Sequence, residues 1–347
     1  MGNAESSSQL PKESNKEKEQ ETHESSATRT ALKLGAAVAG SAILALGALS
    51  LTSSSSNHKD DSRQKLSVPE GSGPWKNESY RGGYFGRSAP NLIKIMSYNV
   101  WFREDVEVVK RMETIGKLIL QHRPDVIFFQ EVTPLIYSIF EDSRWWSFYE
   151  CSVPPERANR RYFCMLLSKL PVKKFLNYPF EGSNMGREVC MAVLDAGTES
   201  SLVVANTHLE SPNPPEMNSS KRVAHAKEAL SQLNRLPNVV FGGDMNWDEV
   251  NDGPFPLLGS WVDAWAELRE EENGWTYDTK ANQSLRGYRP LQKRLDRFVC
   301  KLRDFDLVDM ELIGREPIPG ISYCHRNKEN PVYPSDHFGL LLTISSD

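Results

Sequence analysis

The feature that most constrains the fold is an alternation of short apolar runs with amphipathic helical patterns, which extends from Leu92 to Ile344. Two stretches place apolar residues at helical spacing, and Pro124 ends the first of them: VEVVKRMETIGKLILQHRPD and SKRVAHAKEALSQLNRL. The remaining runs are short and apolar, as buried strands are: LIKIMSYNVW, VIFFQEV, FCMLLSK, VCMAVLDA, LVVANTHL, NVVFGGDMN, RLDRFVCKL and HFGLLLTI. Many strands with interspersed helices predict a layered α/β fold.

Composition narrows the class of protein. The chain has 347 residues, of which 39% are hydrophobic and 25% charged, as in soluble globular proteins. A formal net charge of -5 argues against a protein that binds long duplex DNA through general electrostatics. Five cysteines form no CxxC pair and have no histidine at zinc-finger spacing: Cys151, Cys164, Cys190, Cys300 and Cys324. We therefore expect reduced cysteines in an intracellular protein, and no zinc finger.

The first 90 residues differ in composition from the rest of the chain. Residues 1–30 are polar, mixed in charge and without aromatics, which predicts a disordered tail. Residues 31–52 form a hydrophobic segment, and its uncharged part, 34–51, would span roughly 27 Å as a helix. Because this segment is rich in Ala, Gly and Ser, a membrane anchor and a loosely packed helix are both compatible with it. Residues 53–90 have the Ser, Gly, Pro and charge content of a linker.

The start of the chain fits the N-myristoylation pattern, with Gly2 after Met1 and Ser6 four residues after Gly2. The pattern is loose and also arises by chance. An acyl chain needs a second signal to hold a protein on a membrane, and the segment 34–51 would supply one. We therefore predict membrane contact through 34–51, with N-myristoylation.

Polar side chains stand where the predicted strands end. A Ser-Asp pair before an apolar run can be a simple turn, and a lone histidine is more often structural than catalytic. Here, however, acids, amides and imidazoles recur at strand after strand: Asn99, Glu131, His208, Asp244, Asn246, Asp296, Asp336 and His337. Ligand sites of open α/β sheets gather at strand ends, so we expect these residues to share one site.

The types of these residues indicate hydrolysis assisted by a metal ion. The sequence has no GxSxG elbow, no P-loop and no serine or cysteine placed as a nucleophile. Attack by water is therefore favoured over a covalent intermediate. A small number of hard oxygen ligands suits Mg²⁺, with Mn²⁺ as a substitute, and no HExxH motif indicates zinc.

Six motifs resemble those of the endonuclease/exonuclease/phosphatase superfamily, in the order which that superfamily uses: SYNVW, QEV, NTHLES, GGDMN, RLDRF and PSDHFGL. The resemblance covers essentially all of residues 92–344. It implies an α/β catalytic domain over 91–347, built as a four-layer sandwich with two central mixed β-sheets flanked by helices (DNase I-like). It also implies that Glu131 binds Mg²⁺, with Asn99 beside it and Asp336 near the ion.

The same resemblance implies the catalytic roles. Asp244 would orient or activate the attacking water, and Asn246 would hold the phosphate. His208 and His337 would stabilise charge on the transition state, with Asp296 orienting His337. Phosphodiester cleavage gathers negative charge on non-bridging oxygens, which a cation and fixed donors stabilise.

The stretch GWTYDTKANQSLRGYRPLQKRLDRF resembles a narrower group of the superfamily, the 5′-tyrosyl-DNA phosphodiesterases. The resemblance implies substrate contacts at Tyr162, Ser211, Tyr277 and Arg297. The implied partner is a single-stranded DNA 5′ end carrying tyrosine or a peptide, bound by a monomer in the nucleus or cytoplasm. Phenol, with a pKa of about 10, leaves more readily than a sugar alcohol.

The sequence departs from that group after two of the motifs. Trp247, Asp248 and Glu249 follow Asn246, where an animal member has an arginine that reaches the substrate. A second arginine, after the HLES segment, is also replaced, by proline and asparagine. The run SLRGYRPLQKR is predicted to supply a basic and aromatic groove, and a solvated loop is the alternative.

Two other functions remain open at the level of sequence. One is a membrane-associated phosphodiesterase of the same superfamily that acts on RNA 3′ ends or lipid, which the hydrophobic segment motivates. The other is a catalytically inactive adaptor that binds DNA ends or protein partners. The TYDTKAN…LDR stretch argues against the first, and the presence of Glu131, Asp244 and His337 argues against the second.

Overall fold

The structure is a computed structural model that describes residues 92–325 and 327–346. The predicted tail, hydrophobic segment, myristoylation pattern and linker all lie outside these residues. Within the described residues, no helix has the length and apolar character needed to cross a membrane.

The predicted alternation of strands and helices is confirmed. The strands are β1 (Leu92–Asn99), β2 (Val126–Val132), β3 (Glu150–Cys151), β4 (Phe163–Ser168), β5 (Val172–Pro179), β6 (Glu188–Leu194), β7 (Leu202–His208), β8 (Val239–Asp244), β9 (Val262–Asp263), β10 (Tyr277–Asp278), β11 (Gln292–Lys293), β12 (Asp296–Lys301), β13 (Phe305–Ile313), β14 (Ser322–His325), β15 (Lys328–Pro331) and β16 (Gly339–Ser346). The helices are α1 (Val108–His122), α2 (Pro134–Glu141), α3 (Ser219–Leu233), α4 (Glu249–Asp252) and α5 (Ala264–Leu268).

Two six-stranded sheets form the centre of the molecule. The first has the order β13-β16-β1-β2-β4-β3 and the second β5-β6-β7-β8-β12-β9. Each sheet contains one parallel pair, β1 with β2 and β7 with β8, among antiparallel neighbours, so both sheets are mixed. Two short hairpins, β10–β11 and β14–β15, stand apart from these sheets.

Successive side chains of each strand point to opposite faces of its sheet, and this alternation produces the layers of the fold. In β1, Ile93 and Ile95 face the second sheet, whereas Met96 and Tyr98 face the helices on the other side. The outer face of the first sheet packs on α1 and α2, and that of the second packs on α3. The order helix, sheet, sheet, helix confirms the predicted four-layer sandwich.

The helix boundaries follow local signals in the sequence. Helix α1 buries Met112, Ile115 and Ile119 at helical spacing and ends at His122. The next residue, Arg123, has a left-handed backbone conformation and donates its N–H to the Ile119 carbonyl. Pro124 follows and cannot continue the helix. At α2, the Thr133 side chain accepts from a backbone N–H in the first turn, and proline occupies the first position.

Candidate active site

The site begins where the facing sides of the two sheets change from apolar to polar. In β1 the inward positions run Ile93, Ile95, Ser97 and Asn99, so the polar residues continue the same period of two. The inward positions of β2, β7, β8 and β12 change in the same way toward Gln130, Asn206, His208, Asp244 and Asp296. One end of the sandwich therefore carries a buried polar cluster between the sheets.

An amide bridge joins the two sheets directly beneath this cluster. The side chain of Gln130 donates to Asn206 Oδ1 at 2.7 Å, and Asn206 Nδ2 donates to the carbonyls of Phe129 and Met165 at 2.9 and 3.1 Å. Both amides are fully buried, so these hydrogen bonds are made in a low-dielectric interior. The bridge fixes the distance between the strands that carry Glu131 and His208.

The backbone is bent where two site residues emerge. The β2–β4 pairing shifts register between Phe129 and Val132, which places a bulge at Gln130 and Glu131. Glu131 has φ 63° and Asn246 has φ 48°, in the left-handed region that non-glycine residues rarely adopt. Such conformations persist only where surrounding structure holds them, and they re-aim both side chains toward the cluster.

The glycines of the GGD motif allow close approach at β8. A Cβ on Gly243 would lie 2.0 Å from the Thr207 carbonyl oxygen, and one on Gly242 would lie 2.5 Å from a ring carbon of Phe298. Gly243 also has φ 122°, which other residues rarely adopt. These two positions let β7 and β12 lie against β8 and bring their side chains to Asp244.

Asp244 is the centre of the cluster. Its carboxylate accepts from the Asn99 side chain and from the Asn246 backbone, each at 2.9 Å. His208 Nε2 and His337 Nε2 lie 3.2 and 4.0 Å from its Oδ2 atom. Burial opposes ionisation of Asp244, but the charge of His337 and these hydrogen bonds favour the ionised form, and the pKa of Asp244 is lowered. Asp244 is therefore an ionised acceptor within the protein.

His337 forms a dyad with Asp296. Its Nδ1 donates to Asp296 Oδ2 at 2.7 Å, and Thr276 Oγ1 accepts from the Asp296 backbone N–H at 3.0 Å. Burial opposes a charge on His337, but Asp296 and Asp244 together raise its pKa well above the ordinary range. The geometry thus provides a fixed imidazolium whose Nε2 faces Asp244.

His208 has the opposite protonation state. Burial and then the nearby charge of Arg187 lower the pKa of His208 to about 3, although Asp244 favours the charged form. The 3.2 Å approach to Asp244 is therefore a contact of a neutral ring, and neither ring nitrogen of His208 has a hydrogen-bond partner among the described residues. A neutral imidazole with a free ring nitrogen can donate to a ligand oxygen.

Glu131 and Asp336 form a second acidic pair at the more open edge of the cluster. Both are half-buried, whereas Asp244, Asp296 and His337 are buried. Burial and then the charge of Asp336 raise the pKa of Glu131 to about 7, and burial raises the pKa of Asp336. Among the residues that the structure describes, each carboxylate accepts from one donor: the Phe102 backbone N–H for Glu131, at 3.0 Å, and the Ser335 hydroxyl for Asp336, at 3.3 Å.

A buried arginine supports the loop beside this pair. The guanidinium of Arg111 donates hydrogen bonds to four backbone carbonyls, those of Val100, Trp101, Arg103 and Val106. Its charge favours the ionised form of Asp336, although burial outweighs this effect and the pKa of Asp336 stays raised. Arg111 therefore shapes the loop after β1 and leaves oxygen atoms of both carboxylates available to a cation.

Among the described residues, three acidic and imidazole groups have ligand atoms within 4.8 Å of one another: Asp244, Asp296 and His337. Two of these atoms already form the short Asp296–His337 hydrogen bond. The half-buried pair Glu131 and Asp336 offers hard oxygen atoms that are reachable from solvent, which suits a cation that retains its waters. The cluster thus contains acidic groups able to hold a metal ion, at two adjacent places.

The predicted substrate contacts Ser211, Tyr162 and Tyr277 surround the cluster. Ser211 Oγ accepts from Asn246 Nδ2 at 3.3 Å and from Arg187 Nη2 at 3.0 Å. The Tyr162 ring lies 5.5 Å from the Arg187 guanidinium, and the Tyr277 ring stands edge-on to His337 with centroids 5.2 Å apart. Aromatic rings therefore border the cluster on two sides.

The structure does not bring Arg297 to the cluster. It follows Asp296 in β12 and so points to the opposite face, where its guanidinium binds Asp263 and Glu249 at 2.9 and 2.8 Å. The basic run is divided as well. Lys293 forms an ion pair with Asp248 and Arg294 with Asp263, whereas Arg286 and Arg289 are exposed.

Sequence reasoning missed four groups of this site. Gln130 belongs to the QEV motif and Asn206 to the NTHLES motif, and both occupy positions of their strands that face the other sheet. The alternation along these strands could therefore have identified them. Arg187 lies in a loop before β6, and no pattern in the sequence distinguishes it. Glu210 is fully buried and accepts from Ser183, Asn184 and Met185 at 2.6–3.3 Å, which holds the loop that carries Arg187.

Comparisons with known proteins agree with this architecture. The model of the Endonuclease/Exonuclease/phosphatase family matches residues 96–337. Tyrosyl-DNA phosphodiesterase 2 of Mus musculus is 28% identical over 268 residues, which cover 74% of this chain and 66% of the mouse protein. The 5'-tyrosyl-DNA phosphodiesterase of Caenorhabditis briggsae is 25% identical over 260 residues, 73% of this chain and 69% of its own length. The chain thus spans about two thirds of the length of these relatives.

Solved structures share the fold. D. rerio TDP2, complexed with single strand DNA product, superposes with a TM-score of 0.64 at 22% identity, over 74% of this chain and 100% of that one. An endonuclease/exonuclease/phosphatase family protein of Bacteroides thetaiotaomicron superposes with a TM-score of 0.57 at 14% identity, over 74% and 99% of the two chains. At these identities the likeness confirms the predicted DNase I-like fold and carries no statement about substrate.

Proposed function

Because this chain belongs to the Endonuclease/Exonuclease/phosphatase family, we propose that it is a Mg²⁺-dependent phosphodiesterase that hydrolyses 5′-phosphotyrosyl bonds at DNA ends. The observation that carries the proposal is the convergence of two half-buried carboxylates, a buried Asp244 and the His337–Asp296 dyad at one end of the sandwich. The names of the curated relatives support the substrate. The DNA product bound by the D. rerio protein supports a single-stranded end as the partner.

Glu131 and Asp336 fit a hard divalent cation. Burial raises the pKa of both carboxyl groups, and the charge of Asp336 raises that of Glu131 further, so an added positive charge would favour the ionised forms. Their oxygen donors and exposure suit Mg²⁺ and give no sulfur or imidazole set typical of zinc. When bound, Mg²⁺ would act as a Lewis acid on a non-bridging phosphate oxygen and neutralise charge there.

The residues of the chain account for the remaining steps. Asp244, held ionised by its neighbours, orients the attacking water and accepts its proton. Asn246 holds the phosphate together with Ser211: its side-chain amide donates to Ser211 Oγ, which leaves the Ser211 hydroxyl hydrogen free to donate to a phosphate oxygen. His337 supplies a positive N–H to the developing negative charge, and neutral His208 adds a second donor.

Aromatic residues position the two ends of the scissile bond. Tyr277, edge-on to His337, offers a ring against which the 5′ nucleotide packs. Tyr162, close to Arg187, borders the other side of the cluster. The phenol leaving group requires little protonation, because its pKa is about 10. The enzyme is proposed to act as a monomer in the nucleus or cytoplasm.

Competition among substrates tests this proposal. The full chain, with Mg²⁺, is given a 5′-phosphotyrosyl oligonucleotide, poly(A) and sphingomyelin vesicles in one reaction. We expect kcat/KM for tyrosine release to exceed the other two by at least about a hundredfold, since a site built around one leaving group discriminates strongly. Preferred cleavage of poly(A) or of the lipid would contradict the proposed substrate and retain the phosphodiesterase chemistry.

A further inference from the structure

Two loop segments that follow neighbouring strands carry the phosphate-binding groups of the proposed site. Ser211 lies just after β7, and Asn246 lies just after β8. The Asn246 side chain donates to Ser211 Oγ at 3.3 Å and to the Leu209 carbonyl at 3.2 Å. Neither residue belongs to a strand or a helix, so pairing within the sheet does not by itself fix where the two side chains lie.

A buried arginine of α3 connects the two segments. Arg222 Nη1 donates to the backbone carbonyls of Glu210 and Met217, at 3.0 and 2.7 Å, and both belong to the segment after β7. Arg222 Nε and Nη2 donate to the two carboxylate oxygens of Asp252, each at 2.8 Å. Asp252 is the last residue of α4, in the segment after β8. One guanidinium therefore contacts both segments.

Asp252 also restrains the chain close to Asn246. Its Oδ2 atom accepts from the backbone N–H of Asp248 at 2.8 Å, and Asp248 lies two residues after Asn246. Asn246 has φ 48°, a conformation that persists only where the surrounding structure holds it. The carboxylate that pairs with Arg222 thus fixes the backbone directly beside this strained residue.

The beginning of α3 adds two further contacts between the same segments. Asn218 Nδ2 donates to the Ser211 carbonyl at 2.8 Å, and Ser219 Oγ donates to the Asn251 carbonyl at 3.0 Å. The backbone N–H of Arg222 donates to the Asn218 carbonyl at 3.0 Å. The first turn of α3 and the guanidinium of Arg222 therefore act on the two segments together.

The Arg222–Asp252 ion pair is removed from water, since its side chains are 1% and 0% exposed. Burial of two charges costs free energy that their attraction offsets only in good geometry, and apolar pairs of similar size often stabilise a fold as well or better. Stability alone is therefore a poor account of this pair. A planar guanidinium donates in fixed directions, so it sets the relative positions of the groups that accept from it.

We propose that Arg222 and Asp252 are positioning residues for phosphate binding, whose ion pair holds Ser211 and Asn246 together where they bind the phosphate. Both side chains are buried, so they act through the two segments and do not touch the phosphate. The inference rests on the proposed function for the phosphate-binding role of Ser211 and Asn246. A purely structural ion pair is the alternative, and the two roles differ in what a substitution changes.

The contribution of a 5′-phosphate to strand binding distinguishes these roles without turnover. The full chain, with Mg²⁺, is titrated by fluorescence anisotropy with a 3′-labelled oligothymidylate that carries either a 5′-phosphate or a 5′-hydroxyl. In the wild type we expect the phosphate to lower Kd at least about tenfold, as hydrogen bonds to a charged group do. In Asp252→Asn this ratio of Kd values should fall about fivefold or more, while the Kd of the 5′-hydroxyl strand stays within about twofold of the wild type.

A second buried ion pair provides the matched control. Asp263 accepts from Arg297 at 2.9 Å, and the two side chains are 8% and 2% exposed. Asp263→Asn removes one charge of this pair and retains a residue that caps α5, since asparagine also caps helices. Its ratio of Kd values should equal that of the wild type.

The double variant Arg222→Met/Asp252→Leu separates positioning from stability. Asp252→Asn leaves the buried charge of Arg222 unpaired, whereas the double variant removes both charges and should unfold at a higher urea concentration than Asp252→Asn. A structural role predicts that the ratio of Kd values recovers together with this stability. Positioning predicts that the ratio stays low, because the guanidinium that joins the two segments is gone.

Three results would overturn the positioning role. They are a wild-type ratio near one, an unchanged ratio in Asp252→Asn, and a ratio that recovers with stability in the double variant. Failure of the proposed substrate would look different, since the full chain would then show the expected ratios but release no tyrosine from a 5′-phosphotyrosyl strand.

Discussion

At the scale of single residues, burial opposes every charge in this site, and neighbouring groups decide which side chains remain charged. Asp244 and His337 stay ionised because each faces opposite charge, whereas His208, beside Arg187, is neutral. Two histidines that look alike in the sequence therefore have different protonation states. A fixed cation and a neutral donor can each stabilise negative charge on phosphate oxygens.

Replacement of Asp296 tests the state of His337. In Asp296→Asn the imidazole loses its largest favourable charge, so its pKa should fall. Because His337 acts as the protonated form, the alkaline limb of the kcat/KM profile should move to lower pH, and the rate at pH 8 should fall about a hundredfold or more. A pH–rate profile measures this shift, and a uniform loss of rate with an unmoved alkaline limb would contradict the assigned role.

Cation binding should release a proton from Glu131. Without a cation its pKa is about 7, so a substantial fraction of the carboxyl groups is protonated near neutral pH and must ionise when Mg²⁺ binds. Affinity for Mg²⁺ should therefore rise as pH increases from 6 to 8. Calorimetry in buffers of different ionisation enthalpy measures the released proton, and Glu131→Gln should lose both the release and most of the affinity.

At the scale of strands and helices, the period of two explains which side chains enter the site. Positions that face the other sheet are apolar in the middle of each strand and polar at its end, as in Val240, Gly242 and Asp244 of β8. The same rule places Arg297 outside the site, because its neighbour Asp296 points inward. The motif resemblance predicted both as site residues, and strand geometry separates them.

The glycines of β8 give a prediction at this scale. Gly243→Ala should destabilise the fold by more than about 3 kcal/mol, because the added Cβ would collide with the Thr207 carbonyl and the backbone conformation would be strained. Gly320→Ala is the control, since Gly320 also has positive φ but open space around its Cα. It should cost only about 1–2 kcal/mol, the strain alone. Urea denaturation of both variants measures the difference, and equal losses would contradict the collision.

At the scale of the whole molecule, the sandwich brings together residues that lie far apart in the chain. Five of the eight predicted catalytic and metal-site residues lie at or near the ends of strands that the apolar periodicity identifies in the sequence, and the other three lie in loops directly after or before such strands. Arg111 and Arg187 could not be predicted, because their roles depend on which loop folds back against which strand. The amide bridge between Gln130 and Asn206 likewise joins strands 76 residues apart and has meaning only once the sheets face each other.

The two sheets and the amide bridge between them form a scaffold for the cluster that is separate from its catalytic side chains. Each side of the cluster belongs to a different sheet, and the bridge beneath it fixes their separation. Because this bridge holds the scaffold, we expect a substitution of one catalytic side chain to reduce the rate of hydrolysis without unfolding the protein. A conservative change at Asp244 retains the shape of the side chain and removes its ability to accept a proton, so it isolates the chemistry from the scaffold.

The most direct test of this account is the rate of tyrosine release from a 5′-phosphotyrosyl single-stranded oligonucleotide by the full chain with Mg²⁺, compared with Asp244→Asn. We predict rapid release by the wild type and a loss of about a hundred- to ten-thousandfold in the variant, with an unchanged unfolding midpoint in urea. An Asp244→Asn protein that releases tyrosine at the wild-type rate would show that the buried cluster between the two sheets is not where the bond is broken.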